Sequence, residues 1–173
     1  MILIIMRHGD AGEYSSPDHS RPLTAVGKVQ SQRVGKWLHN TIEQFLSATH
    51  TSDSLNDTRE PAVDLAIVSP YLRTQQTFRA VNAGIKVHNQ VTIDTITPMG
   101  NAQQTADLIQ GYASDINAPK SMLVITHMPL VSLLADKVCA DFNARIFETA
   151  DTLIIDYNTD NGWGEQLAFY QGH

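Results

Sequence analysis

The chain has 173 residues, a length that suits one domain and buries enough apolar surface to need neither disulfide nor structural metal. Its formal net charge of −6 disfavours nucleic acid as the main partner, because a phosphate backbone wants a basic face. No stretch approaches the length of a membrane span, Arg7 ends the apolar opening too early for a signal peptide, and a lone cysteine, Cys139, fits a reducing compartment, so a cytoplasmic protein with no membrane partner is expected.

In chain order, "MILIIM" is a continuous apolar run, the pattern of a strand covered on both faces. "TAVGKVQSQRVGKWLHNTIEQFL" predicts a helix capped by Thr24, with Val26, Val34, Trp37, Leu38, Ile42 and Phe45 on one face. Residues 47–61 are rich in Ser, Thr, Asp and Asn and read as a long solvated insertion. "VDLAIVS" predicts a second buried strand, and "PYLRTQQTFRAV" a helix with Ser69 at the N-cap and Pro70 at the first helical position. "IKVHNQVTID" holds one or two short strands, and "NAQQTADLIQGYA" is a third helix. "SMLVIT" is a strong strand, followed by a helix with Pro129 at or near its first position. Cys139 falls in an apolar, helical-looking run and reads as an inert buried thiol. "DTLIIDYN" and "WGEQLAFYQ", joined across "TDNG", predict an antiparallel hairpin.

This alternation predicts an α/β fold, a mostly parallel sheet with helices on both faces in three α/β/α layers, as a single domain over residues 1–173. In such sheets ligands sit beyond the carboxyl ends of the strands. That rule selects Arg7-His8-Gly9 after the first strand, Ser69-Pro70 and then Arg73 after the second, and Thr126-His127 after the third strong strand. Each residue alone has an ordinary reading, a turn histidine or a solvated arginine. Together, cations converging beside helix N-termini call for an anionic ligand.

A zinc site is the rival reading of two histidines. The chain has no H-E-x-x-H and no Cys/His cluster, and flanking guanidiniums would repel a cation. Arginine instead grips a phosphoryl group in a bidentate way, so no metal and no cofactor are expected. Given a phosphoryl group, a neutral imidazole can attack phosphorus and split one hard step into two. Nearby arginines would help keep it neutral, and a backbone carbonyl could fix its tautomer. Gly9 would then make room for backbone and phosphate together.

"MRHGD", "SPYLRTQQT" and "VITHMPL", in that order across nearly the whole chain, resemble the histidine phosphatase superfamily with its phosphoglycerate mutase-like fold. "RPLTAVG", "TPMG" and the small size resemble its SixA-type phosphohistidine phosphatases. The resemblance implies His8 as nucleophile, Arg7 and Arg73 as phosphate ligands, His127 as the second histidine supporting the transferred group, and Arg21 at the pocket mouth. It also implies a phosphohistidine-bearing protein as substrate, in signalling or phosphotransfer.

One departure from the wider superfamily stands out. Its phosphomonoesterases carry an acidic proton donor where this chain reads "IDTITPMG"; Asp94 lies upstream, and Asp10 and Glu13 are the alternatives. An alkoxide leaving group needs a general acid. An imidazole is far less basic and can take a proton on its distal nitrogen before the bond breaks, so the missing acid favours phosphohistidine as substrate. A small-molecule phosphomonoesterase and a non-catalytic phosphoprotein-binding module remain the alternatives. The other histidines, His19, His39, His50, His88 and His173, match no motif and are expected at the surface, and nothing demands more than a monomer.

Overall fold

The computed structural model describes residues 1–49, 60–143 and 145–173. Six strands form one sheet: β1 (Ile2–Arg7), β2 (Ala62–Val68), β3 (Lys86–Thr92), β4 (Ser121–Thr126), β5 (Thr152–Asn158) and β6 (Trp163–Tyr170). Four helices connect them: α1 (Ala25–Thr49), α2 (Leu72–Asn82), α3 (Ala102–Ala113) and α4 (Leu130–Val138). The sheet order is β3-β2-β4-β1-β5-β6. The first four strands of that row run parallel, and β5 and β6 form the antiparallel hairpin at one edge.

The apolar runs build this sheet because both its faces are covered. Alternate residues of each central strand point to opposite sides. Leu3, Ile5, Ile67 and Val124 meet Ile109, Leu130 and Leu134 of α3 and α4. Ile4, Met6, Val68 and Ile125 meet Val34, Leu38, Phe78 and Val81 of α1 and α2. The expected three layers are therefore present, with two cores separated by the sheet.

Thr24 caps α1 as its sequence predicts, its hydroxyl accepting from the Gly27 N–H at 3.0 Å. Val26, however, is exposed. The buried stripe of α1 runs through Gly27, Ser31, Val34, Gly35, Leu38 and Ile42, so its first turns meet the body through small residues and backbone. α1 also continues to Thr49, past Ser47, where the polar insertion is expected to begin. Most of that insertion lies outside the described residues. α2 begins at Leu72 with Tyr71 at its N-cap, two residues later than the Ser69 cap expected from sequence. Pro129 stands at the N-cap of α4 and Asn101 caps α3, accepting from the Gln104 N–H at 3.0 Å.

Candidate active site

The strand order brings the chemistry together. β2, β4 and β1 are neighbours, with Val68 beside Ile125 and Arg7 beside Thr126, so Ser69, His127 and His8 leave the sheet at one edge. The His8 N–H donates to the Thr126 carbonyl at 3.1 Å, extending the ladder one step past the strand. A cavity of about 280 Å³ opens there, lined by Arg7, His8, Asp10, Asp18, Arg21, Arg73 and His127 among others.

His8 is 6 % exposed, and its Nδ1 lies 2.7 Å from the Gly9 carbonyl oxygen. A carbonyl only accepts, so Nδ1 carries the proton and Nε2 carries the lone pair. The Arg73 Nε–H donates to that Nε2 at 3.1 Å. Burial lowers the His8 pKa to about 3, and the charges of Arg73, Arg7 and Arg21 push the same way against the Gly9 hydrogen bond. His8 is therefore neutral, with desolvation as the larger cause and the arginines as the lesser one.

His127 is 1 % exposed, its ring centre 5.1 Å from that of His8. Burial lowers its pKa to about 2, assisted by His8 and the arginines. Its Nε2 lies 2.7 Å from the Ser69 hydroxyl. The serine thus serves a ring nitrogen in place of a helix end. Tyr71 packs edge-on against His127 at 4.9 Å, and the Arg73 guanidinium sits 4.8 Å from the Tyr71 ring centre.

Each arginine is aimed by a fixed acceptor. The Arg7 Nη1 donates to the Phe147 carbonyl at 2.7 Å. The Arg73 Nη1 and Nη2 donate to the carbonyl and carboxylate of Asp18 at 2.8 and 2.9 Å. Arg21 donates to the Gly12 carbonyl at 2.7 Å and pairs with the other Asp18 oxygen at 3.1 Å. Asp18 thereby ties both guanidiniums to the segment that crosses the pocket mouth. The Nε of Arg7, the Nε of Arg21 and the Nδ1 of His127 are buried without a protein partner, and Asp18 Oδ1 is buried without a hydrogen bond but faces Arg21 in the ion pair. Buried polar atoms are almost always satisfied, and the three nitrogens, on residues lining one cavity, fit an anion as their partner. Among the described residues, no three His, Cys, Asp or Glu side chains stand together as a metal site.

Gly9 has a different reason to be glycine than the one expected from sequence. It does not line the cavity; a Cβ there would lie 2.5 Å from the Gly27 carbonyl and 2.7 Å from the Ser31 hydroxyl. What Gly9 admits is the backbone of α1. Its own N–H donates to Thr77 Oγ1 at 3.1 Å, which ties the turn after β1 to α2. Of the candidate acids, Asp10 lines the cavity but accepts from the Thr24 hydroxyl at 2.6 Å, while Glu13 and Asp94 are exposed and outside it.

Known proteins resemble this chain in sequence and in fold. A phosphohistidine phosphatase SixA homologue of Haemophilus influenzae is 36% identical over 153 residues, covering 87% of this chain and 84% of that protein. The chain belongs to the SixA-type histidine phosphatases. Phosphohistidine phosphatase SixA of Escherichia coli is 28% identical over 87% of this chain and 81% of its own. The structure of the protein histidine phosphatase SixA complexed with tungstate superposes with a TM-score of 0.79 at 25% identity, over 99% of this chain and 97% of that one. No protein-family model matches the sequence.

Within this SixA-type frame, sequence reasoning misses Asp18 and Tyr71 as parts of the site, and it places Ser69 at the ligand edge only as a helix cap. Asp18 lies in "SSPDHS", which carries none of the motifs. Ser69 has the pattern of a helix cap, and only the adjacency of β2 and β4 brings it to His127. Cys139 is buried at the C-cap of α4; burial first, then its contact with Asp141, pushes its thiol up to about 11, so it is inert. Of the unassigned histidines, His19, His88 and His173 are exposed and His39 is half-buried; His50 lies outside the described residues.

Proposed function

We propose that this chain is a phosphohistidine phosphatase that passes the phosphoryl group of a phosphohistidine-bearing protein to His8 Nε2 and then to water. The observation that carries the reading is the 2.7 Å contact between His8 Nδ1 and the Gly9 carbonyl, which leaves the lone pair on Nε2 of a cavity-lining residue, where the Arg73 Nε–H donates to it until phosphorus takes that place.

In the first step Nε2 attacks phosphorus and the phosphorus–nitrogen bond of the substrate breaks. The departing imidazole, protonated on its distal nitrogen, leaves neutral. His8 keeps its Nδ1 proton throughout, so phospho-His8 is itself a cationic imidazole and a good leaving group. Water then attacks phosphorus, the Nε2–phosphorus bond breaks, neutral His8 returns and dihydrogen phosphate departs with the water's protons. Arg7, Arg21 and Arg73 supply the positive charge that phosphoryl transfer draws on, a role in which a metal ion is not required. The tungstate complex of the SixA relative supports an oxyanion as ligand. The same reading has the chain act in the cytoplasm as a monomeric single domain, without nucleic acid or membrane as partner.

A second reading, phosphomonoester hydrolysis, draws on Asp10 and Asp18 at the cavity wall. Both are already held as acceptors, Asp10 by Thr24 and Asp18 by Arg73 and Arg21. The two readings separate on leaving groups. With no proton donor, kcat should fall steeply from phosphohistidine protein to p-nitrophenyl phosphate to phosphoserine, while KM changes less. Phosphoserine turned over as fast as the aryl ester would mean that one of these carboxylates acts as general acid.

A further inference from the structure

Ser69 is wholly buried, and its place is fixed from three sides. Its N–H donates to the Ile125 carbonyl at 3.2 Å, and its own carbonyl accepts from Thr74 Oγ1 at 2.9 Å and Gln75 Nε2 at 2.8 Å. Its hydroxyl faces His127 Nε2 at 2.7 Å. A neutral imidazole has one N–H and one lone pair, and a hydroxyl can serve either. The other ring nitrogen, Nδ1, is buried with no protein partner, on a residue that lines the cavity among three arginines. Were Nε2 the protonated atom, Nδ1 would present a lone pair to an anion and repel it. Were the serine the donor, Nδ1 would present an N–H.

We propose that Ser69 is a positioning residue that donates to His127 Nε2, and so holds the proton of His127 on Nδ1 as a neutral hydrogen-bond donor to the phosphoryl oxygens. The idea rests on the phosphoryl-transfer reading of this cavity. It assigns His127 a directed hydrogen bond in place of a positive charge, in keeping with the burial that holds the ring neutral. It also accounts for a serine at the end of β2 that caps no helix. The two histidines then work as opposites. The Gly9 carbonyl accepts from the Nδ1–H of His8 so that Nε2 attacks, and the Ser69 hydroxyl donates to Nε2 of His127 so that Nδ1 donates.

The test is the ring ¹⁵N spectrum of histidine-labelled protein, which reads the tautomer without any substrate. In the wild type, His127 Nε2 should have the shift of an unprotonated nitrogen and Nδ1 that of an N–H. Inorganic phosphate should move Nδ1 far more than Nε2. Ser69→Ala should let the proton spread onto Nε2 and lower kcat on phosphohistidine protein about tenfold with little change in KM, the loss of a donor felt mainly in the transition state. Ser69→Thr keeps the hydroxyl and should keep both the tautomer and kcat. A protonated Nε2 in the wild type would overturn the proposal even if Ser69→Ala failed to fold. So would a Ser69→Ala protein whose activity falls with its tautomer unchanged, the mark of a merely structural serine. A wild-type protein that has this tautomer yet ignores phosphohistidine would instead sink the functional reading and leave the assignment of the proton standing.

Discussion

His8 and His127 cost the fold stability in acid. Both have folded-state pKa values depressed from 6.5, to about 3 and about 2, with burial as the main cause. Below pH 6.5 the unfolded chain takes up protons that the folded chain refuses. Their contribution to stability is therefore fully present above that value and is lost as the pH falls from 6.5 towards 3. Well below the unfolded pKa the loss approaches about 1.4 kcal/mol per pH unit for each histidine. Replacing one titrating ring by a neutral side chain removes its share of that slope. Denaturant unfolding of His127→Asn and wild type at several pH values between about 7 and about 4 should give a shallower slope for the variant. Equal slopes would mean that the ring is charged in the folded protein.

At the scale of elements, the approach of α1 to the end of β1 is what holds His8 in place. A Cβ on Gly27 would lie 2.0 Å from the Asp10 carbonyl oxygen and 2.7 Å from its nitrogen, and neither is a flexible side-chain end. Gly27→Ala should therefore push the turn after β1 away from the helix, destabilising by about 1–3 kcal/mol or more and lowering turnover. Gly111, exposed in α3, has open space around it: a Cβ there would meet nothing within 4 Å. Gly111→Ala should stabilise by about 0.5–1 kcal/mol and leave turnover alone. Chemical denaturation of the pair checks both signs. The strands and helices themselves are legible in the sequence, because their apolar runs and periodicity follow from burial on two faces. The start of α2 is not: Ser69-Pro70 has the local chemistry of a cap, and the competing partner, His127, comes from the end of a strand 58 residues away in sequence. Val26 misleads for a related reason, since the stripe of α1 opens on glycine and serine, which carry no hydrophobic signal.

Across the whole molecule, residues from three distant segments meet because β2, β4 and β1 are neighbours in the sheet. The rule that ligands bind beyond strand carboxyl ends is enough to pick Arg7, His8, Arg73 and His127 from the sequence, and all four line the cavity. Asp18 escapes that rule because a turn aspartate gives no sign of the guanidiniums that it will meet. An acidic chain of net charge −6 thereby keeps three arginines at one small opening. No helix among the described residues is long and apolar enough to cross a membrane.

Whether His8 Nε2 carries the phosphoryl group between substrate and water can be read from the protein itself. The experiment mixes it with ³²P-labelled phosphohistidine protein, quenches under alkaline denaturing conditions that preserve phosphohistidine, and maps the label. Label is expected on the peptide that contains His8, attached at Nε2, with neither label nor turnover in His8→Asn. Label on any other residue, or undiminished turnover by His8→Asn, would contradict the assignment of His8 as the nucleophile.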